Sequence, residues 1–225
     1  MVNRSRETAR QHELEFRSRG GPRRGAGRKP NGPRPGVPHE RREELSARNP
    51  VHVTVRLRAG LPNLRRDAAR AAIERAFRAG AERFGFRLAQ YSLQTNHVHL
   101  IAEAEDKGAL SRGMKGLLVR VARALNRIWH RKGTVFADRY HAHPLRTPRE
   151  VRNALAYVLH NARHHGVRVL GIDPFSSGRW FDGWSRKLVF ASRGPAATAR
   201  SWLLRVGWRL HGLIGIEERP RSAPT

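Results

Sequence analysis

A chain of 225 residues is long enough for one domain with a real core plus tails, and too short for two large ones. Lys and Arg number 45 against 18 Asp and Glu, and the resulting +27 directs attention to a polyanionic partner, nucleic acid first, while saying little about fold. With no cysteine, disulfides and thiolate metal sites are excluded, so any metal must be held by His, Asn, Gln, Asp or Glu; no apolar run reaches the roughly 20 residues that span a bilayer and the start lacks a signal-peptide core, which gives a cytoplasmic protein with no membrane partner as the expectation.

Residues 1–49 are polar and punctuated by Gly and Pro. Between Arg17 and Arg34 there are seven basic residues and no acidic one. Such a segment cannot bury a core, and it reads as a disordered arm adding sequence-independent phosphate contacts. Order is expected from Val51, where Val51, Val53, Val55 and Leu57 alternate with His52, Thr54 and Arg56 as in a half-buried strand. Asp67 to Ala79 carries Ala69, Ile73, Ala76 and Phe77 at helical spacing, closed by Gly80. Phe84 to Leu93 reads as a second strand that turns through a short polar link into a third, making a hairpin.

That third strand begins Asn96-His97-Val98-His99-Leu100. Side chains alternate along a strand, so His97 and His99 share one face while Val98 and Leu100 enter the core. Two imidazoles side by side suit a divalent cation, although a His-x-His triplet alone equally describes a polar strand face with two solvated histidines.

From Ser111 to Trp129, the residues Met114, Leu117, Leu118, Val121, Leu125, Ile128 and Trp129 recur every three or four positions and predict an amphipathic helix. Arg120, Arg123, Arg127 and Arg131 line its other side with no acidic residue between them, either a solvated charged face or a DNA-facing ridge. Further on, Thr147-Pro148-Arg149-Glu150 carries three agreeing helix-start signals, and the helix should run to about His164, ahead of Gly166.

In that helix Val151, Ala154, Leu155, Val158, Leu159 and Ala162 form the apolar stripe. At about 100° per residue, Tyr157 lies roughly 130° and Asn161 about 90° from the stripe's centre. Tyr157 is therefore expected off the core, with Asn161 one turn later on the same flank. Phe136, Trp180, Phe181 and Trp184 suit either base stacking or packing of a C-terminal extension, and Trp202, Leu203, Leu204, Trp208 and Leu210 suggest a last helical segment weakened by Gly207. The residues from Glu217 onward read as a tail.

Four ordered blocks, Asn96-His97-Val98-His99-Leu100, Gly133 to His141, Ala156 to Arg163, and Ile172 to Gly178 with Trp180 to Trp184, together resemble the HUH single-tyrosine transposases, most closely the branch of REP-associated tyrosine transposases. The resemblance runs from about Val51 to Ile214. It implies an α/β fold of α+β type, ferredoxin-like, with an antiparallel sheet of four or five strands and helices mainly on one face. It also implies a catalytic domain over residues 50–166 and an extension over 167–225 packed on it.

The resemblance further implies that Tyr157 is the nucleophile, that His97, His99 and Asn161 hold a Mg or Mn ion, and that single-stranded or hairpin DNA is cut through a 5′-phosphotyrosine and rejoined, by a monomer or a homodimer. Tyr140, also in a matched block, is the competing nucleophile, and Arg139 joins the arginine ridge as a DNA contact. The chain departs from the family pattern where Ala162 replaces a proline after Asn161 and where His164-His165 stands in place of a Leu-Arg type pair. The alternatives are a domesticated DNA-hairpin binder that no longer cuts, and an RNA-binding protein of similar charge.

Overall fold

A computed structural model of the chain describes residues 44–186 and 194–219. The arm expected over 1–49 lies outside these for all but its last six residues. Five strands form one antiparallel sheet in the order β2-β3-β4-β1-β5: β1 Val51–Arg56, β2 Glu82–Arg83, β3 Phe86–Leu93, β4 His97–Ala104 and β5 His141–Pro144. The hairpin of β3 and β4 is as expected, and β1 returns alongside β4 through the register Thr54 to His99 and Arg56 to His97. Strand β5 has no counterpart in the sequence reading, because four residues alternating His-Ala-His-Pro carry too little apolar signal to announce a strand.

Two long helices, α1 (Asp67–Gly80) and α2 (Lys107–Ile128), cover one face. Their stripes, with Ile73, Phe77, Met114, Leu117, Val121 and Leu125 buried, meet Val51, Val53, Val55, Leu88, Tyr91, Val98 and Leu100 in a single core. Helix α2 starts four residues earlier than its apolar period suggests, because the Asp106 carboxylate accepts from the Ala109 amide at 2.6 Å and caps it there. It crosses β3 closely at Gly113, where a Cβ would meet Phe86 at 2.1 Å.

The other face carries α3 (Pro148–Leu159), opened by the expected capping box: Thr147 Oγ1 accepts from the Glu150 amide at 3.2 Å and the Glu150 carboxylate accepts from the Thr147 amide at 3.0 Å. The helix does not run smoothly to His164. It breaks at His160, whose φ of −105° and ψ of 13° leave the helical region, and resumes as α4 (Asn161–His164). His160 Nε2 donates to the Gly215 carbonyl at 2.9 Å, so the break is tied to the chain's C-terminal part.

That C-terminal part packs on α3. Phe181, Trp184 and Trp208 are buried against it, together with Leu203 and Leu204 of the short α5 (Trp202–Arg205) and a 3-10 turn at Gly207–His211. The expected final helix is thus two short pieces split at Val206, the second starting at Gly207, where a Cβ would meet the Trp202 ring at 2.5 Å. The start of the expected tail is pinned: Glu218 accepts from Arg152 at 2.9 Å, and Glu217 pairs with Arg163 at 2.9 Å. No helix among the described residues is long and apolar enough to cross a membrane.

Candidate metal and nucleophile site

Strand parity builds the site. Since Val51, Val53 and Val55 fill the core under α1 and α2, the intervening His52, Thr54 and Arg56 must face the other way, and their partners on β4 and β5 share that face. His52, His97, His99, His141 and His143 therefore stand on one side of three adjacent strands. The expectation that His97 and His99 share a face is met.

The two histidines are joined by a third. The ligating nitrogens of His97, His99 and His165 lie within 4.8 Å of one another, with His99 buried, His97 half-buried and His165 exposed. The His97 ring meets His99 and His165 edge on, at centroid distances of 4.8 and 5.2 Å. His165 was visible in the sequence only as a departure from the family pattern. The short α4 that follows the His160 break brings it back over the sheet.

Tyr157 lies in the same place. Its ring sits 5.2 Å from His99, 5.9 Å from His52 and 5.5 Å from His164, each edge on. The expectation that it stands off the core is corrected in one respect: Tyr157 is 6% exposed. A single apolar stripe was the basis of that reading, but from Ala154 to Leu159 helix α3 is buried at every position, between the sheet on one side and the C-terminal aromatics on the other. Tyr140 is buried in the opposite core with α1 and α2, and Tyr91 is sealed there too, donating to Glu74 at 3.0 Å. Of three tyrosines, Tyr157 alone faces the imidazoles.

Asn161 is fully buried, and both polar atoms of its amide lack a hydrogen-bond partner. An orphaned buried amide is uncommon and marks a place where a further group is wanted. His99 Nε2 is likewise buried and unpartnered, while its Nδ1 lies 3.1 Å from both His52 Nε2 and Thr54 Oγ1. The donor set fits a divalent cation: an unsatisfied nitrogen on His99 and converging nitrogens on His97 and His165.

Electrostatics agree. Burial is the first cause lowering the imidazole pKa values, to about 4 for His52, about 4 for His97 and about 2 for His99; neighbouring histidines and, for His97 and His99, Arg56 push the same way. These rings are neutral at pH 7, the form that ligates. The groups named as acting on them are other histidines and Arg56, so neutral imidazoles would leave a cation held there its double charge.

A cavity of about 300 Å³ opens beside His97 and His165, lined also by Arg56, Gln94, Thr95, Asn96 and Val167. The arginine ridge is elsewhere. Arg120, Arg123 and Arg127 ride on α2, which covers the opposite face of the sheet. Arg120 donates to the Gly116 carbonyl at 2.9 Å, and Arg131 closes the following loop through Asn126 at 2.7 Å. Arg139 is exposed in the segment between Phe136, bridged to Leu57, and β5. Of the aromatics offered as stacking platforms, Phe181 and Trp184 are core residues, while Phe136 and Trp180 are half-buried.

Residues 51–161 match the family model described as "Transposase IS200 like". A solved structure of a REP-associated tyrosine transposase bound to a REP hairpin is similar, with 19% identity and a TM-score of 0.47 over 63% of this chain and 82% of that one. A second, of a candidate transposase from Deinococcus radiodurans R1, has 16% identity and a TM-score of 0.37 over 49% and 85%. No curated protein matches the chain.

Proposed function

We propose that this chain, whose residues 51–161 match a family model described as "Transposase IS200 like", is a metal-dependent single-strand DNA endonuclease and strand transferase that works through Tyr157. The observation that carries this reading is the approach of the Tyr157 ring to 5.2 Å from His99, on the face where His97 and His165 converge. A nucleophile and a cation site contributed by elements far apart in sequence have no structural reason to meet.

In the proposed reaction the Tyr157 hydroxyl gives up its proton as its oxygen attacks the scissile phosphorus, forming a P–O bond to tyrosine as the bond to the 3′ oxygen breaks; that oxygen takes up a proton and leaves as a 3′-hydroxyl. The phosphotyrosine stores the bond, and a different 3′-hydroxyl reverses the step, so the outcome is strand transfer rather than hydrolysis. Mg²⁺ or Mn²⁺, when bound, neutralises charge on the non-bridging phosphate oxygens, and His97, His99 and either Asn161 or His165 would hold it. Mn²⁺ suits imidazole better.

The chain's own residues do the rest. The rings of His52, His99 and His164 fix the phenol's direction, and Arg56 beside His97 gives the incoming strand a phosphate contact. Arg120, Arg123, Arg127, Arg131 and Arg139 would hold the flanking DNA at a distance from the chemistry. Single-stranded or hairpin DNA is the substrate class, because an exposed strand reaches such a site without duplex opening.

Labelled hairpin DNA incubated with the protein and Mn²⁺ tests the proposal. A covalent adduct stable to denaturation, lowered by on the order of 10³-fold or more in Tyr157→Phe and kept in Tyr140→Phe, is expected. Tight hairpin binding with no adduct under any divalent cation would replace this reading with that of a non-cleaving DNA-hairpin binder.

A further inference from the structure

We propose that His52 and Thr54 of β1 are positioning residues that fix the tautomer and the aim of His99, and that Asn96 does the same for His97. The inference rests on the metal-site reading above and deepens it, since neither β1 side chain nor Asn96 is among the ligands.

Asn96 gives the simpler half. Its Oδ1 lies 2.9 Å from His97 Nδ1, and an amide oxygen accepts only, so the His97 proton sits on Nδ1 and the Nε2 lone pair is left free. The turn supplies this contact locally, between neighbouring residues.

His99 is held across strands. Its Nδ1 has two neighbours at 3.1 Å, the His52 nitrogen and the Thr54 oxygen, while its Nε2 is buried with none. With the proton on Nδ1, one N–H faces two acceptors and Nε2 presents a bare lone pair. With the proton on Nε2, the Nδ1 lone pair could take only one bond, from the Thr54 hydroxyl or from His52, and a buried N–H would point unmet at the place where His97 and His165 converge. A cation would satisfy the first arrangement and be repelled by the second.

Geometry makes the clamp rigid. Thr54 is the direct cross-strand partner of His99, and the His52 ring lies nearly parallel to that of His99, with centroids 5.2 Å apart and planes 20° apart. His52 is 5% exposed and is itself flanked by β5. For His52 to accept at Nε2, its own proton must be on Nδ1, so the tautomer of a residue two strand positions before Thr54 is set by the same contact. β1 contributes no ligand, yet it decides which nitrogen of His99 can be one.

The test uses the full chain, ¹⁵N-labelled and metal-free. Long-range proton–nitrogen correlation spectra report each imidazole's tautomer, and both His97 and His99 are expected with protonated Nδ1 and bare Nε2. Mn²⁺ titration by calorimetry then compares variants. The double variant His52→Phe with Thr54→Val is expected to bind Mn²⁺ about 10- to 100-fold more weakly, Asn96→Leu to show a smaller loss in the same direction, and Thr54→Ser to stay within about twofold.

Should His52→Phe disturb folding, Thr54→Val alone, nearly the same shape in a strand, reads the same loss to a smaller extent. A spectrum showing His99 protonated on Nε2 overturns the proposal, as does a folded double variant whose Mn²⁺ affinity is unchanged. Failure of the unsubstituted chain to bind Mn²⁺ overturns the metal-site reading instead, while the tautomer spectrum still decides this one.

Discussion

The two faces of the sheet are built from the same strands and solve opposite problems. Under α1 and α2, Val53, Val55, Leu88, Leu100 and their neighbours are apolar, fully buried and without polar atoms to satisfy, each contributing about 1.5–3 kcal/mol of burial. Under α3 the same alternation places His52, Thr54, His97 and His99, and three of the five buried side-chain atoms without partners among the described residues belong to His99 (Nε2) and Asn161 (both ends of its amide), the other two being the Nε atoms of Arg70 and Arg87. One face stabilises the domain, and the other spends part of that stability to keep polar atoms unpaired where a further group can use them.

Adjacent residues of β4 break this comparison most sharply. Leu100→Ala, on the apolar face, should lower stability by about 2–5 kcal/mol, measured by denaturant unfolding. His99→Ala, one residue away, should cost clearly less in the same measurement, because it also removes an unsatisfied nitrogen. Its effect falls on chemistry: Mn²⁺-dependent adduct formation should drop by on the order of 10²-fold or more. Equal losses of stability in the two variants would mean that the faces are not divided in this way.

Acid should strike the histidine face. The folded chain holds His52 and His97 near 4 and His99 near 2, against 6.5 for the free group. Below about 6.5 the unfolded chain therefore takes up protons that the folded one refuses, and stability falls as pH drops from 6.5 through 4. The thermal midpoint of metal-free protein should fall between pH 7 and pH 5, and a flat profile would show these rings to be solvated.

The smallest effect is expected from the arginine ridge, which lies on the outer side of α2. Arg123→Ala with Arg127→Ala should weaken hairpin binding and flatten its salt dependence, the logarithmic slope falling by roughly 0.7–0.9 for each phosphate that is no longer neutralised. Adduct formation at saturating DNA should be unchanged. A slower reaction at saturation would place the ridge in the site after all.

How much of this was legible before folding differs by element. The alternation of β1, the apolar period of α2 and the capping box of α3 are properties of short windows, and each appears as expected apart from a shifted boundary. The pairing of His97 with His99 needed only strand parity. His52 and Thr54 were visible as the polar half of the β1 alternation, but nothing local says that they face His99, because that depends on a register between strands more than forty residues apart. Tyr157 falls off the core when only one stripe is considered, since a helical wheel cannot know that a second layer will cover the other side.

By itself, then, the sequence determined which residues repeat with which period, where the helices start, and that two imidazoles share a strand face, because these follow from backbone geometry within a few residues. Only the tertiary structure decided that β1 lies against β4, that the chain breaks at His160 to return His165 over the sheet, and that the tyrosine of α3 rather than the one before β5 reaches the histidines. Those outcomes depend on how separate elements bury one another, and burial is a property of the whole chain.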